Sequence, residues 1–479
     1  MANETPVNSS ILQQFPAPDG ALAERVLAGE LSRSNAKVVV LDDDPTGVQT
    51  VHGVPVYTNW EEQTLQEAFA AQDRMFFILT NSRGMTAEVT EREHEKMAHA
   101  IHAAAQASGR PYILISRSDS TLRGHYPLET QTLRRTLEGL GEKPFDGEVI
   151  YPFFMEGGRY TLNNVHYVQE GGSLIPAGLT EFAKDKSFGY SASSLPEWCA
   201  EKSGGAVRAQ DVTCISLEDL CACNYEGIER QLMAVHGFGK VVVNSISYEN
   251  VKVFAAALLR AMAKGKRFML RSAAAVTKVL GGVPDKPLLT HEELIAPQDT
   301  NGGIVLVGSH VNKTTQQLKR LRRSECPLEF IRFDQHLVLK EGGLEGEVAR
   351  VVALAQENIS RGRSVVVFTR RERLDLDTDD KDKQLEVSVR ISNAVTSVVE
   401  RLTVKPGFII AKGGITSSDV GTRALHVRKA MVMGQIRPGI PVWKTGPESK
   451  FPNMPYVIFP GNVGTEDTLL EAVEVLMKA

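Results

Sequence analysis

A cluster of carboxylates follows the first long apolar run of the sequence. Residues 38–41 read Val-Val-Val-Leu, and Asp42, Asp43 and Asp44 come directly after them, before a Pro-Thr-Gly turn. Adjacent carboxylates repel one another, so a positive or hydroxyl-bearing group is expected beside them. A magnesium ion, a sugar hydroxyl or a nearby arginine would each meet that requirement. The alternative is an ordinary surface turn, which uses the same residue types.

Two further apolar runs lead into polar residues that suit the same ligand. Residues 76–79 are followed by Arg83, and residues 112–115 by a run of small hydroxyls that includes Asp119 and Arg123. An arginine can hold a carboxylate through two parallel hydrogen bonds, whereas carboxylates accept hydrogen bonds from sugar hydroxyls. Because the carboxyl ends of parallel strands lie along one edge of a sheet, these side chains are expected to meet there. Together they indicate a small polyhydroxy acid as ligand.

Glycines follow three apolar runs in the second half of the chain, at Gly308, at 413–414 and at 461–464. Backbone amides in such loops can hold phosphate oxygens, and the hydroxyl of Ser309 can add a hydrogen bond. Three such loops in one half of the chain indicate a nucleotide. The sequence contains no G-x-x-x-x-G-K-[ST] motif and no G-x-G-x-x-G opening a helix, which disfavours a Walker-type ATPase and a Rossmann dehydrogenase.

The spacing of the apolar runs predicts strands that alternate with helices. Nearly continuous apolar strands suit a parallel sheet covered on both faces, and repeated alternation is typical of doubly wound α/β folds. The predicted strands are 37–41, 75–79, 111–116, 147–151, 240–244, 267–271, 303–307, 328–332, 364–368, 407–411, 430–434 and 456–459. The predicted helices are 21–31, 91–107, 250–263, 313–323, 345–360, 384–402 and 466–478.

A glycine- and proline-rich stretch interrupts this alternation and predicts two domains. The fold class is therefore α/β, with two doubly wound, mostly parallel-sheet domains and an interdomain cleft as the default ligand site. The predicted boundaries are an N-terminal extension over 1–35, an acid-sugar-binding domain over 36–275, a linker over 276–302 and a nucleotide-binding domain over 303–479.

The composition excludes several function classes. The 479 residues are 42% hydrophobic and 23% charged, with a formal net charge of −4, which gives no basic field for nucleic acid and no polybasic patch for a membrane. No apolar run approaches the roughly 20 residues of a membrane helix. Five cysteines in a chain of this length argue against a disulfide framework. The N-terminus lacks the features of a signal peptide, so a cytoplasmic protein is expected.

Taken together, the polar motifs resemble those of the four-carbon acid sugar kinase family, once catalogued as a domain of unknown function. They keep the family's order over about residues 37–470. They read Asp-Asp-Pro-Thr-Gly at 43–47, Asp-Ser-Thr-Leu-Arg-Gly at 119–124, Gly-Ser at 308–309, Lys-Gly-Gly-Ile-Thr at 412–416 and Pro-Gly-Asn-Val-Gly at 460–464. The resemblance implies a kinase that uses ATP and Mg²⁺ to phosphorylate the terminal hydroxyl of threonate, erythronate or 3-oxo-tetronate.

The resemblance also implies roles for individual residues. The catalytic base would be Asp44 or Asp119, and Arg83 or Arg123 would hold the substrate carboxylate. The residues expected to bind the substrate are Asp43, Arg83, Ser120, Arg123 and Gly124. Those expected to bind ATP are Ser309, Gly413, Gly414, Ile415, Thr416, Gly461, Asn462, Val463 and Gly464. No magnesium ligand is assigned.

Departures from the family pattern leave alternatives open. Ile415 stands where family members often have a polar residue, and 443–455 is a longer insertion, which affects the particular substrate more than the reaction. The alternative function is a non-catalytic sugar-acid sensor or effector that retains the kinase fold. A metal-dependent sugar-acid dehydratase or aldolase would explain the acids but leave the glycine loops unused. The oligomeric state stays open, with a homodimer as one option.

Overall fold

The computed structural model of this chain describes residues 5–372, 374, 381–461 and 463–477, and it leaves the side chains of 381–385 undescribed. The described residues group into two units. Unit 1 comprises Met1–Gly47 and Asn59–Pro284, and unit 2 comprises Val48–Thr58 and Asp285–Ala479.

Most strands of the described chain are short, buried and rich in Val, Ile, Leu and Phe. They are β1 (Val7–Asn8), β2 (Lys37–Asp42), β3 (Val54–Tyr57), β4 (Met75–Leu79), β5 (Tyr112–Arg117), β6 (Gly147–Tyr151), β7 (Arg159–Leu162), β8 (Val165–Glu170), β9 (Ser173–Pro176), β10 (Thr213–Ile215), β11 (Gly239–Val243), β12 (Phe268–Ser272), β13 (Ile304–Val307), β14 (Leu328–Phe333), β15 (Ser364–Thr369), β16 (Ile409–Lys412), β17 (Lys429–Arg437), β18 (Ile440–Thr445) and β19 (Pro455–Phe459).

The helices between them carry ordinary end signals. In α3, the Thr86 side chain accepts a hydrogen bond from the amide of Val89 at the start, and Gly109 ends the helix with φ of 61°. The helices are α1 (Gly20–Arg33), α2 (Glu62–Ala70), α3 (Ala87–Ser108), α4 (Leu128–Gly139), α5 (Leu195–Lys202), α6 (Leu217–Cys221), α7 (Tyr225–Ala234), α8 (Tyr248–Ala263), α9 (Ala274–Leu280), α10 (His291–Leu294), α11 (Asn312–Arg322), α12 (Gly343–Ser360), α13 (Lys381–Glu400), α14 (Gly414–Asp419) and α15 (Thr468–Met477).

The main sheet of unit 1 is parallel and has the order β10-β11-β6-β12-β5-β2-β4. All six residues of β2 are buried, because both faces of the strand are covered. A smaller antiparallel sheet in the order β1-β9-β8-β7 also belongs to this unit. The helix α1 packs against α8, and a salt bridge of 2.9 Å joins Glu30 to Arg260.

The sheet of unit 2 is mixed. Its strands β19-β16-β13-β15-β14 pair in parallel, and β3, β17 and β18 add antiparallel pairs beside β19. The apolar core beneath it includes Val305, Val366, Ile410 and Val457, all fully buried. The parallel part places the ends of β13, β16 and β19 side by side.

This architecture confirms the predicted fold class of two mostly parallel α/β domains. Each predicted strand is present, with ends that coincide with the prediction or move by at most a few residues. The prediction omitted β1, β3, β7 to β10 and β18. The strands β1 and β10 are very short, β3 and β18 contain Pro55 and Pro441, and β8 alternates between buried and half-exposed residues. Such short, interrupted or alternating strands lack the continuous apolar run on which the prediction relied.

One segment groups differently from the predicted domain boundaries, and two other stretches singled out in the sequence contain parts of helices or strands. Residues 48–58 fall inside the stretch assigned to the first domain, yet their strand β3 pairs with β17 of unit 2. The stretch 276–302 contains the end of α9 and the whole of α10. The insertion over 443–455 begins inside β18 and ends where β19 starts.

The five cysteines are all free thiols in the structure. In the part of the chain that the structure describes, we find no helix with the length and apolar character to traverse a bilayer.

Candidate functional site

The predicted polar residues of the first half meet at one edge of the unit 1 sheet. The strand β2 pairs in parallel with β4 on one side and with β5 on the other. Asp43 and Asp44 follow β2, Arg83 follows β4, and the segment 119–124 follows β5. Because neighbouring parallel strands end at the same edge, the three loops converge as expected.

Asp43 is the buried anchor of this cluster. The guanidinium of Arg83 donates to both of its oxygens, with Nε 3.2 Å from Oδ2 and Nη2 2.7 Å from Oδ1. The Ser118 hydroxyl donates to Oδ2 at 2.7 Å. Burial alone would raise the pKa of Asp43, but Arg83 holds it below its usual range. Asp43 is therefore an ionised carboxylate that fixes the position of Arg83.

Asp44 is the more accessible of the two neighbouring carboxylates, with a side chain 20% exposed. Its Oδ1 accepts from the amide and the hydroxyl of Thr46, at 2.8 and 2.5 Å. Its Oδ2 lies 3.7 Å from Nη2 of Arg83. One oxygen is thus held by the Asp-Pro-Thr turn, while the other carries a single long contact among the described residues.

Asp119 is more tightly engaged by cations than Asp44. Its Oδ2 accepts from Nε of Arg123 at 2.7 Å and from the hydroxyl of Thr121, and its Oδ1 lies 3.8 Å from Nη1 of Arg83. Burial would raise the pKa of Asp119, but the two guanidinium groups hold it well below its usual range. Arg123 also lies 3.7 Å from Asp185.

Gly124 and Ser120 shape the loop after β5. Gly124 has φ of 116°, and a Cβ there would lie 2.8 Å from the Ser118 hydroxyl and 2.9 Å from Nη2 of Arg271. Ser120 is buried, and its carbonyl accepts from Nε2 of His166 at 2.8 Å. The loop is therefore packed tightly from below, which holds Asp119 and Arg123 at the sheet edge.

Several polar residues beneath the site escaped the sequence-based selection. Glu129 accepts from Nη1 of Arg271 at 2.7 Å and from the Ser82 hydroxyl at 2.6 Å, and Arg117 donates to Asp42 at 3.2 Å. Burial raises the pKa of Asp42 to about 8, against the opposing effect of Arg117. Arg117 and Arg271 each lie at the end of a strand, and that position was the signal available in the sequence.

The glycine loops of the second half also meet, at the edge of the unit 2 sheet. A Cβ on Gly308 would lie 2.2 Å from the Thr416 hydroxyl, and one on Gly461 would lie 3.1 Å from the Ser309 hydroxyl. Gly413 has φ of 127°, and its Cβ would lie 3.1 Å from Cβ of Ser309. The three loops approach closely: a side chain at Gly308 would clash with Thr416, and one at Gly413 or Gly461 would press on Ser309.

A cavity of about 340 Å³ in unit 2 opens on these loops. The predicted nucleotide residues that line it are Ser309, Gly413, Gly414, Ile415 and Thr416. Residues that the sequence had not singled out also line it, and they include His310, Gln335, Thr369, Ile391 and Val395. Their signal in the sequence was weak, since among these five residues only Thr369 follows an apolar run directly, and His310 follows the run 304–307 after Gly308 and Ser309.

The loop over 461–464, also predicted to bind ATP, does not line this cavity but is hydrogen-bonded to α11 beside it. The Thr314 hydroxyl donates to the carbonyl of Gly461 at 3.0 Å, and Nε2 of Gln317 donates to the carbonyl of Val463 at 3.1 Å. Gly464 has φ of 85°. Asn462, which was predicted to bind ATP, lies outside the described residues.

Lys412 ties two of the loops together. It is fully buried, and its Nζ donates to the carbonyls of Pro460 and Gly461 at 2.6 and 3.3 Å. Burial lowers the pKa of Lys412 to about 7, with a smaller contribution from Lys313. The sequence analysis quoted this lysine within a motif without giving it a role.

The lowered pKa of Lys412 makes the stability of the protein depend on pH. Above pH 7 the folded state releases a proton that the unfolded chain keeps up to its pKa near 10.5, so stability rises with pH in this window. We expect wild type to gain about 1 kcal/mol per pH unit relative to Lys412→Met between these limits. Urea unfolding between pH 6 and 10 measures this difference. Lys444→Met, at an exposed position of β18, is the control, and parallel pH profiles for wild type and Lys412→Met would contradict the assignment.

The described residues offer no preformed metal site for magnesium. Among the described residues, no group of three or more His, Cys, Asp or Glu side chains is arranged to hold a metal ion. The strand-end carboxylates bind arginines instead, with Asp43 and Asp119 both within 4 Å of Arg83.

A larger cavity of about 830 Å³ lies at the opposite edge of the unit 1 sheet, around residues 33–36, 109–113 and 262–267. Its charged lining residues are already paired: Arg267 contacts Glu142, which also lines the cavity, and Lys266 lies 3.1 Å from Asp146 outside the lining. No convergent set of catalytic side chains faces this cavity, so size alone does not make it the site.

Comparison with known proteins identifies two domains in this chain. A family model described as a sugar-binding N-terminal domain matches residues 38–280, and one described as a nucleotide-binding C-terminal domain matches residues 304–469. No curated protein is similar enough in sequence to match the chain.

Solved structures share the fold at low sequence identity. A Haemophilus influenzae protein of the DUF1537 family is 17% identical with a TM-score of 0.58, and the match covers 91% of this chain and 100% of that one. A Salmonella typhimurium LT2 protein that carries the name tRNA synthase is 16% identical with a TM-score of 0.63, and the match covers 91% of this chain and 98% of that one. At these identities the likeness shows the fold alone.

Proposed function

Because this chain belongs to the four-carbon acid sugar kinase family, we propose that it transfers a phosphoryl group from ATP to the terminal hydroxyl of a four-carbon acid sugar. The observation that carries the proposal is the cluster at the carboxyl edge of the unit 1 sheet, where Asp44 and Asp119 each lie within 4 Å of Arg83. Such a mixture of carboxylates and guanidinium groups suits a ligand with several hydroxyls and one acid group.

Asp44 is the better candidate for the general base. A base must accept the hydroxyl proton as the new bond to phosphorus forms, and a carboxylate held by two guanidinium groups is a weak acceptor. Asp119 is held in that way, whereas Oδ2 of Asp44 has one contact at 3.7 Å. Arg83, fixed by Asp43, would lie between Asp44 and Asp119 and contact both.

ATP, when bound, supplies the phosphoryl group, and Ser309, Gly413, Gly414 and Thr416 would hold its phosphates. Their loops fit that role because Gly413, with φ of 127°, lines the cavity and carries no side chain between its backbone and that space. The exposed side chain of Ile415, 73% accessible, would cover the nucleotide from outside. Magnesium is proposed to enter with the phosphates, and no step is assigned to it.

Gly413→Ala is expected to weaken ATP binding about tenfold, the equivalent of about 1.4 kcal/mol. Alanine is strained at this φ, and its Cβ would press on Ser309, so the loop must move away from the cavity. Calorimetric titration with ATP in the absence of sugar measures the change. Gly346→Ala is the matched control, because Gly346 lies in α12 with nothing within 4 Å of an added Cβ. Equal ATP affinity in both variants would remove Gly413 from the site.

An ADP-release assay with a panel of four-carbon acids tests the proposed function. Turnover with threonate, erythronate or 3-oxo-tetronate that depends on ATP is the expected result. Tight binding of an acid without any turnover would favour the sensor instead. Failure to bind ATP at all would exclude the kinase.

A further inference from the structure

One arginine near the site, Arg159, differs from the others in having no acidic partner. It is the first residue of β7, the edge strand of the small antiparallel sheet in unit 1. Its Nε is buried without a hydrogen-bond partner, and no carboxylate lies within 4 Å of its guanidinium in the part of the chain that the structure describes.

The other arginines of the site are all occupied. Arg83 gives its two-pronged face to Asp43, and Arg117 donates to Asp42 at 3.2 Å. Arg123 and Arg271 donate to Asp119 and Glu129, each at 2.7 Å. None of these guanidinium groups is free to turn a complete hydrogen-bonding face to a ligand.

Arg159 lies close to the predicted substrate residues. Its guanidinium carbon is 5.6 Å from the ring centroid of Phe182, and that of Arg123 is 5.0 Å from the same centroid. The charges of Asp119 and Arg123 both act on Arg159, and burial lowers its pKa. Gly157 leaves room for it, since a Cβ there would lie 3.1 Å from Nη1 of Arg159.

Arg159 is half-buried, and its Nε is fully buried. Burying part of a cation without a counter-ion is unfavourable, because no ion pair offsets the lost hydration. An anionic ligand would offset this desolvation by pairing with the guanidinium. Until a ligand binds, the ring of Phe182 would keep the guanidinium in position through a cation–π contact. A carboxylate is the anion best matched to a planar guanidinium, since it accepts two parallel hydrogen bonds.

We propose that Arg159 binds the carboxylate of the substrate and makes the protein select acids over the corresponding polyols. This inference rests on the proposed function for the identity of the ligand. It replaces the expectation that Arg83 or Arg123 performs this task, since the carboxylates of the protein already hold both. Arg159 is thus a specificity-determining residue beside Asp119 and Arg123.

The test measures binding of a four-carbon acid and of its polyol, such as threonate and threitol, by calorimetry without nucleotide. We expect Arg159→Gln to weaken acid binding about 30- to 100-fold, as the loss of charged hydrogen bonds implies, and to change polyol binding less than about threefold. Arg159→Lys keeps the charge without the planar fork and should recover part of the affinity. Arg135→Gln, at an exposed arginine of α4, is the matched control and should bind both ligands as wild type does.

The outcomes separate this inference from the proposed function. Equal losses for acid and polyol, or wild-type acid binding by both Arg159 variants, would overturn the role of Arg159 even if the protein proves to be a kinase. If Arg159→Gln selectively loses acid binding while the wild-type protein shows no turnover, the role of Arg159 is supported and the proposed kinase activity is contradicted. If Arg159→Gln does not fold, judged by circular dichroism, Arg159→Lys decides: binding of both ligands as wild type does would overturn the proposal.

Discussion

Asp44→Asn should lower kcat for phosphoryl transfer by about a hundredfold or more, with the KM for the acid changed by less than about threefold. The amide keeps the size of the side chain and can still accept from Thr46, so the loop after β2 should keep its shape. The asparagine lacks the negatively charged carboxylate oxygen that accepts the proton of the substrate hydroxyl. Steady-state kinetics with saturating ATP measure both parameters.

Two variants act as controls for this result. Thr46→Val removes the hydroxyl that donates to Oδ1 of Asp44 but keeps the carboxylate, so kcat should stay within about tenfold of wild type. Asp119→Asn should mainly raise the KM for the acid, because Asp119 positions Arg123. A near-normal kcat in Asp44→Asn together with a collapse in Asp119→Asn would transfer the role of base to Asp119.

Arg83→Met should destabilise the protein by about 3–5 kcal/mol and abolish measurable turnover. Removing the guanidinium leaves the fully buried Asp43 without its counter-ion and brings Asp44 and Asp119 into unscreened repulsion. Urea unfolding at pH 7.5 measures the loss. The loss should shrink as pH falls, because the lowered pKa of Asp43 contributes stability that disappears when this carboxyl is protonated.

A double-mutant cycle isolates the ion pair in this second experiment. Asp43→Asn with Arg83→Met removes both charges, so the double variant should be more stable than Arg83→Met alone by about 1 kcal/mol or more. Arg92→Met is the control, since Arg92 lies on the surface with a side chain 58% exposed. A loss below about 1 kcal/mol in Arg83→Met would contradict the view that Arg83 organises the site.

Much of the site could be predicted from the sequence, because polar residues that directly follow neighbouring parallel strands meet at one edge of the sheet. The loops after β2, β4 and β5 converge because parallel strands with continuous apolar runs must lie side by side in a sheet covered on both faces. The same argument placed Ser309 and Gly413 at one edge of the second sheet. Both predictions needed only the order of the elements and the polarity of the residues that follow them.

Other parts of the site depend on packing that no local pattern reveals. Arg159 is the half-buried first residue of a short strand, and it comes near Asp119 and Arg123 only through the small antiparallel sheet. Its buried Nε has no hydrogen-bond partner among the described residues, which is a property of the folded chain that no local pattern reveals. The shifted pKa of Lys412 likewise follows from burial behind Phe459 and Pro460.

The most direct measurement of the central claim is the identification of the product. Incubation of the protein with ATP and the best acid of the panel, followed by ³¹P–¹H correlation spectroscopy, shows which carbon bears the phosphate. We expect one phosphate ester on the terminal carbon, formed in equal amount with ADP and absent with Asp44→Asn. Release of inorganic phosphate with the acid unchanged, or a phosphate attached to the carboxylate, would contradict the account.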